Sequence, residues 1–586
     1  MAYLAVAAGL TSYLIFKRTE TIKTIDLITL LVLIPVLLAF LPLNLEGRPH
    51  SYLHSLSGVA TSFIGYYTTI IFCTILYRLS PWHPLASYPG PLICKITKFK
   101  GAFVSRRGKQ HIYHQRLHEK YGDVVRIGPN ELSFVNVNAV FTVLGRNGAP
   151  RGPYWDGRIP ETQQVYPIGA VRDIEEHRRR RIPWSKAFSS VALKEYERPV
   201  RAKTKLLAER LASVARNDKG VVELGTWFGY YTYDVMTSFA FSGGSDMLRE
   251  GDPQGLWKEI RGSMQSTMLM GHVPWLGRLC YRLPVGLFNG LNAFRKASYD
   301  RATKRMSEGS TDKDLYYYLL DESNPHKQSP EGMDRARVIS DSESRLVAIP
   351  EMNRANDSKT GSSAVLGGSD TTAATTTLLC YYLATHSKVY EHLEGEVDAA
   401  GDKYDDPSVQ AKMEYLNAVI NEVLRMWPAV LNGSPRGIKA NDSGRMIAGN
   451  YVPPGTNLTI PSYSIQRDPR NFAPQPENFI PERWLDEETR VRLRPDVFHC
   501  QPYRNDPQAF LTFSTGPANC VGKNLALMEM RMVACTLVKR FRFVEVVGRG
   551  GGGTGGGRDF EDTVMDYFTM QVGELWVRLR EKVADE

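Results

Sequence analysis

Apolar positions open this chain in three runs, Met1–Phe16, Leu27–Leu43 and Ser57–Tyr77. A bilayer core of about 30 Å takes about 20 helical residues. The third run has that length, the second is slightly short and holds Pro35, and the first is marginal. Two or three spans within residues 1–79 are therefore expected. A cleaved signal peptide is the other reading of the first run, which lacks a basic start and a small-residue cleavage site. Further on, residues 121–134 alternate apolar and polar around Gly128-Pro129-Asn130, predicting a β-hairpin. Residues 200–320 carry helical periodicity with few breakers. Leu416, Val419, Ile420, Val423, Leu424 and Trp427 form one stripe, predicting an amphipathic helix. Met446–Ala448 and Tyr451–Val452 flank Gly449-Asn450, read as a two-residue hairpin turn, and Asn457–Pro461 reads as extended. Leu525, Met528, Met532 and Thr536 share a face, predicting a helix directly after Cys520.

The segments between these elements set the organisation. Pro81, Pro84, Pro89 and Pro91 crowd the stretch after the third apolar run and stiffen it into a spacer. Residues 345–364 are polar, broken by Pro and Gly, and show no helical stripe. They read as an insertion of poor local order within a domain spanning 80–586. Gly550–Gly557 reads as a flexible loop.

Charge and cysteines narrow the picture. The net charge is +10 over 586 residues. No long basic tract interleaved with aromatics points to nucleic acid. A basic surface facing anionic lipid or an acidic partner fits better. The 7 cysteines are odd in number, scattered and form no CxxC pair. That argues against a disulfide framework or zinc site and for a reducing compartment. Lys17, Arg18 and Lys23 crowd the first connection, which the positive-inside rule places in the cytosol. Counted through three spans, the N-terminus is lumenal and everything after Arg78 cytosolic, in agreement with reduced thiols.

The candidate chemistry centres on Phe513-Ser-Thr-Gly516-Pro-Ala518-Asn-Cys520-Val-Gly522. Cys520 stands just before a helix N-terminus, where unpaired amides and the helix dipole favour a thiolate. Gly516 and Gly522 permit positive φ and a close approach to a flat group. Such a thiolate can ligate haem iron. A small buried hydrophobe is the other reading, and the loop by itself leaves the two about even.

The whole string resembles the cysteine-ligand loop of the cytochrome P450 superfamily, F-x-x-G-x-R-x-C-x-G. Phe513, Gly516, Cys520 and Gly522 match, and Ala518 replaces the arginine that pairs with a haem propionate in that family. Three further stretches resemble family motifs in the family's order. Gly367-Gly368-Ser-Asp370-Thr371-Thr372 is similar to the oxygen-side helix, where Asp370 and Thr371 would be the acid–alcohol pair that delivers protons. Glu422-x-x-Arg425, followed by Phe479-Ile-Pro481-Glu482-Arg483-Trp484, is similar to the family's structural triad of Glu422, Arg425 and Arg483. His177 and Arg181 have the spacing of a propionate-binding pair, with Phe188 at the expected offset, and Arg436 lies where another such cation stands. Arg178 to Arg180 would be left to face a reductase.

The resemblance implies a mainly α fold with a small β region behind N-terminal transmembrane helices. It implies haem b with Cys520 as axial ligand to the iron, and electrons from NADPH through a separate NADPH-cytochrome reductase. The implied activity is monooxygenation of a lipophilic small molecule, in secondary metabolism, on the cytosolic face of the endoplasmic reticulum membrane. By the same analogy substrate contacts fall within residues 150–170, including Tyr154, Trp155 and Tyr166. A rearrangement or dehydration on the same fold, or an inactive membrane haem binder, are the alternatives.

Overall fold

The computed structural model describes residues 2–18, 23–45, 52–159, 166–282, 289–319, 360–499, 501–548 and 560–582. The first apolar run forms the helix Ala2–Arg18. In the second, Thr24–Ile28 and Ile34–Leu45 are joined through a wide turn, Thr29–Leu33. The third is the helix Tyr52–Leu79. Ala5 and Tyr66 are fully buried where the first and third helices meet. A Cβ on Gly9 would stand 2.8 Å from the Tyr66 carbonyl oxygen, so glycine lets the backbones approach. Among the described residues, Gly58–Leu79 is the one stretch both long and apolar enough to cross a bilayer, with 22 residues and a mean hydropathy of 1.6. The first helix has 17 residues, and the second run stays helical from Thr24 to Leu45 through its wide turn.

The proline-rich spacer is clamped to the first hairpin. Arg126 is fully buried and donates to the carbonyls of Pro129 at 2.9 Å, Leu85 at 3.3 Å and Arg78 at 3.3 Å. Carbonyl dipoles thus satisfy a cation that burial would otherwise penalise heavily. Gly90, at φ +156°, is required here, because a Cβ would come within 2.3 Å of the Arg126 carbonyl oxygen.

The hairpin forms as the alternation predicts, with Val124–Gly128 antiparallel to Glu131–Phe134. Asn457–Thr459 adds in parallel and Arg436–Gly437 completes a four-stranded sheet. In the hairpin Arg445–Ile447 with Asn450–Val452, Ile447 pairs with Asn450. The turn residues are therefore Ala448 and Gly449, at φ +45° and +78°, one position earlier than the Gly449-Asn450 pair read from the sequence. Two successive positive φ values fit a turn whose twist matches its strands.

The helical core is built on the helix Thr360–Thr385, packed along Leu224–Phe241. A Cβ on Gly368 would lie 2.4 Å from Met236 Sδ, so this crossing is as close as glycine allows. Residues 345–359 of the expected insertion, and the loop Gly550–Gly557, lie outside the described residues. Thr360–Ala364 are already helical, which shortens the expected irregular stretch.

Glu414–Met426 carries the buried ion network. The Glu422 carboxylate accepts from Arg425 Nε at 2.8 Å, Arg483 Nε at 2.9 Å, Trp484 Nε1 at 2.9 Å and the Ile480 amide at 3.0 Å. Burial opposes its charge, but Arg425 and Arg483 outweigh burial and hold the carboxyl at about 2. Arg425 also donates to the carbonyls of Gln466, Pro476 and Asn478. Every lone pair and proton of a dry ion pair needs such a partner if desolvation is to be offset.

Candidate active site

The loop before Lys523–Arg540 is shaped by three backbone hydrogen bonds. Ser514 N donates to Leu511 O at 2.8 Å, Asn519 N to Gly516 O at 3.1 Å and Cys520 N to Phe513 O at 2.9 Å. Gly516 sits at φ +73°, and a Cβ there would meet the Leu144 carbonyl oxygen at 2.1 Å. Gly522 is at φ −82°, so the expectation of positive φ holds for Gly516 alone. Gly522 is the N-cap, and its nearest neighbours are Phe188 and the Cys520 sulfur.

Cys520 lines a cavity of about 540 Å³. The same cavity is lined by Gly367, Gly368, Thr371 and Thr372 of the threonine-rich helix, so the two motifs meet across one space. The thiol departs from expectation in one respect. Burial pushes its pKa up, and the Gly522 amide, Arg181 and the Lys523 amide offset this only in part. The surrounding amides and Arg181 thus lower the thiol's pKa against burial without cancelling it. A coordinated metal ion, by contrast, deprotonates a thiol outright.

His177 and Arg181, on the helix Ile174–Ala187, both line the cavity. Burial, with Arg151, Arg181, Arg436 and Arg180 nearby, lowers the His177 pKa to about 4 and keeps the ring neutral. Arg181 Nη1 donates to Asn519 O at 2.8 Å and Nη2 to Asn519 Oδ1 at 2.9 Å. Arg436 is buried, and its Nε and Nη2 have no partner; burial pulls its pKa to about 10. Arg178 and Arg179 are tied to Glu175 and Glu176, and Arg180 is buried. Of these three residues Arg178 and Arg179 stay exposed, each beside an acidic partner, while Arg180 is buried.

Asp370 and Thr371 part company in the structure. Thr371 faces the cavity, and its hydroxyl donates to the Gly367 carbonyl at 2.6 Å. Asp370 is buried off the cavity wall and accepts from Thr569 Oγ1 at 2.6 Å. Burial raises the Asp370 pKa, with Thr569 and Arg261 opposing. Of the residues expected to meet substrate, Trp155 lines the cavity, Tyr154 stacks on Phe568 at its edge, and Tyr166 is not among the lining residues.

Four lining residues escaped the sequence reading. Arg151 lines the cavity with its Nε unpartnered, and is paired through the backbone with Arg436. Burial and the neighbouring Arg436 lower its pKa to about 9. Trp184 lines the same space, and its buried Nε1 is unpartnered. Glu529 leaves Oε2 unpartnered, and burial pushes its carboxyl well up. Thr569 enters from the far end of the chain. Only Glu529 had a readable signal, since it interrupts the apolar stripe one turn after Leu525.

Comparison with known proteins agrees with this geometry. A family model described as cytochrome P450 matches residues 87–549. The chain is 32% identical over 489 residues to cytochrome P450 monooxygenase nodW of Hypoxylon pulicicidum, covering 83% of this chain and 81% of that protein. It is 30% identical over 550 residues to cytochrome P450 monooxygenase phqL of Penicillium fellutanum, covering 92% and 89%. It is 30% identical over 478 residues to cytochrome P450 monooxygenase FCK2 of Fusarium pseudograminearum, covering 80% and 78%. With its cysteine loop and threonine-rich helix facing one cavity, the chain belongs to the cytochrome P450 family, monooxygenases that work with haem iron.

Proposed function

We propose that this protein is a membrane-anchored haem-thiolate monooxygenase that inserts one oxygen atom from O2 into a lipophilic small molecule of fungal secondary metabolism. The observation that carries the reading is the cavity shared by Cys520 and Thr371, with Arg151 and Arg181 on its wall. Among the described residues no carboxylate pairs with Arg151, Arg181 or Arg436. Buried N–H groups left unpaired cost about 1–3 kcal/mol each, more when charged. Haem carries two carboxylates, and Arg151 and Arg181 on the cavity wall, with Arg436 next to Arg151 though not on the wall, would offer them cations. This offers a replacement for the arginine missing at Ala518.

In this reading Cys520 would bind the haem iron through its sulfur, and Gly516 at positive φ gives its loop the turn it needs. Haem held there supplies the activation of dioxygen. The chain does the rest. Leu366, Ala364, Val430 and Ile168 keep water from the cavity and present an apolar wall to substrate. Thr371 presents Oγ1 to the cavity while its hydroxyl proton is donated to the Gly367 carbonyl, and Asp370 would be the acid that resupplies a proton drawn from it. Glu422, Arg425 and Arg483 act on stability alone.

The anchor reading rests on Gly58–Leu79, with the remaining N-terminal helices packed against it. The domain would face the cytosol from the endoplasmic reticulum and draw electrons from a separate NADPH-cytochrome reductase. The reduced, carbon monoxide-bound difference spectrum tests the core of the proposal: the family's thiolate band is expected for the wild type and lost in Cys520→Ala. Product formed under isotopic dioxygen then carries one label. A product without label points to rearrangement or dehydration instead.

A further inference from the structure

The C-terminal hairpin, Met565–Tyr567 with Thr569–Gln571, drives its tip into the cavity wall. The tip residue Phe568 sits at φ +75°, a backbone state that non-glycine residues rarely hold unless their surroundings enforce it. Here the enforcement is visible. Asp566 Oδ1 accepts from the Phe568 amide at 3.2 Å, and Asn432 bonds the other oxygen of Asp566. Phe568 stacks on Tyr154, with ring centroids 5.8 Å apart, and meets Trp155 edge-on at 4.8 Å. A tip fixed from both sides sets the next residue, Thr569, against the threonine-rich helix.

We propose that Thr569 is a positioning residue for Asp370, holding its carboxyl turned off the cavity through the hydrogen bond from its hydroxyl. The inference rests on the reading of Asp370 as proton donor given above. Thr569 is the neighbour that fits. It lines the cavity itself, whereas Asp370 does not, and its hydroxyl spans the 2.6 Å between them. The charged group that reaches Asp370 from the helix Leu256–His272 is Arg261, whose Nη2 donates instead to the Val572 carbonyl at 2.7 Å. The direct partner of the carboxyl is therefore the hydroxyl.

The test uses the full-length, haem-loaded protein in phospholipid nanodiscs. Infrared difference titration follows the Asp370 carboxyl, assigned by its absence in Asp370→Asn. A hydroxyl that donates to the carboxylate favours the charged form. Thr569→Val should therefore raise the titration midpoint by about one to two pH units, the loss expected for one hydrogen bond to a charged acceptor. Thr569→Ser should keep the wild-type midpoint, which separates the hydroxyl from packing. An unchanged midpoint in Thr569→Val, or an equal shift in both variants, overturns the positioning role. The underlying reading is checked separately. With reductase and NADPH, Asp370→Asn should raise the fraction of electrons released as hydrogen peroxide, and an unchanged fraction removes Asp370 as donor whatever the titration shows.

Discussion

Arg181 grips Asn519 twice, through the backbone carbonyl at 2.8 Å and the side-chain oxygen at 2.9 Å, one residue before the cysteine. In a loop whose consensus arginine is replaced by Ala518, this outside guanidinium holds the segment from the neighbouring helix. Arg181→Ala should therefore loosen the loop itself. Both the thermal stability of the haem-free protein and its haem retention are expected to fall, read by calorimetry and by haem transfer to an acceptor apoprotein.

Arg436→Leu should behave in the opposite way before haem is bound. Its guanidinium is buried beside Arg151 with two nitrogens unpaired, so removal relieves the haem-free protein. The same change removes a charged donor for a propionate, worth about 1.5–3 kcal/mol, or about 10- to 100-fold in haem affinity. Higher haem-free stability together with weaker haem binding is the expected pair of results. A variant that loses both would place Arg436 in the scaffold instead.

Glu422→Ala strands two buried cations. Breaking a buried pair in this way costs about 3–5 kcal/mol, a large share of a typical total of about 5–15. The expected result is little folded, haem-loaded protein, seen as a collapse of the denaturant midpoint. Glu422→Gln keeps the acceptor oxygen for one arginine and should retain more.

Stability should fall on mild acidification. Burial lowers the pKa of His114 and His272 to about 3 and of His118 to about 4, from 6.5. These groups stay neutral when folded and gain protons when unfolded, so unfolding is favoured as pH drops below 6.5. The loss continues down to about 4–3, the folded values. Glu422 adds a further loss as pH falls from 4.5 toward 2. Equilibrium unfolding between pH 7.5 and 4.5 should show a steady decline, and His114→Gln with His272→Gln should flatten it.

The two glycines of the cysteine loop should separate. Gly516→Ala places a methyl 2.1 Å from the Leu144 carbonyl at positive φ, a cost of about 1–2 kcal/mol for the backbone and more for the clash. Gly522→Ala meets Phe188 at 3.6 Å and the sulfur at 4.0 Å, ordinary contacts. Differential scanning calorimetry of the haem-free proteins should show a large loss for the first and little for the second.

Much of this was legible in the sequence because periodicity reports on a residue's own element. The stripe through Leu416 and Trp427 marked its helix, and the i, i+3 spacing of Glu422 and Arg425 marked their contact. Relations between distant segments left no such trace. Arg151 meets Arg436 only because two strands close a sheet, and Thr569 meets Asp370 only because the terminal hairpin folds back. The sign of the Cys520 shift was also hidden, since a helix N-terminus can be recognised from residues while the dryness around it depends on the whole fold. The hairpin turn slipped by one because Ala448 adopts a positive φ that its side chain does not advertise.

The Arg126 clamp bears on where this polypeptide can be shortened. Of its carbonyl acceptors, one belongs to Arg78, the penultimate residue of the third helix, and another to Leu85. A soluble version begun at residue 80 would leave that guanidinium short of an oxygen deep in the interior, whereas one begun a turn earlier, near Ile75, would keep the full set. Removing the N-terminal helices is therefore an edit to the catalytic body's own foundations, and the choice of first residue decides whether it is a harmless one.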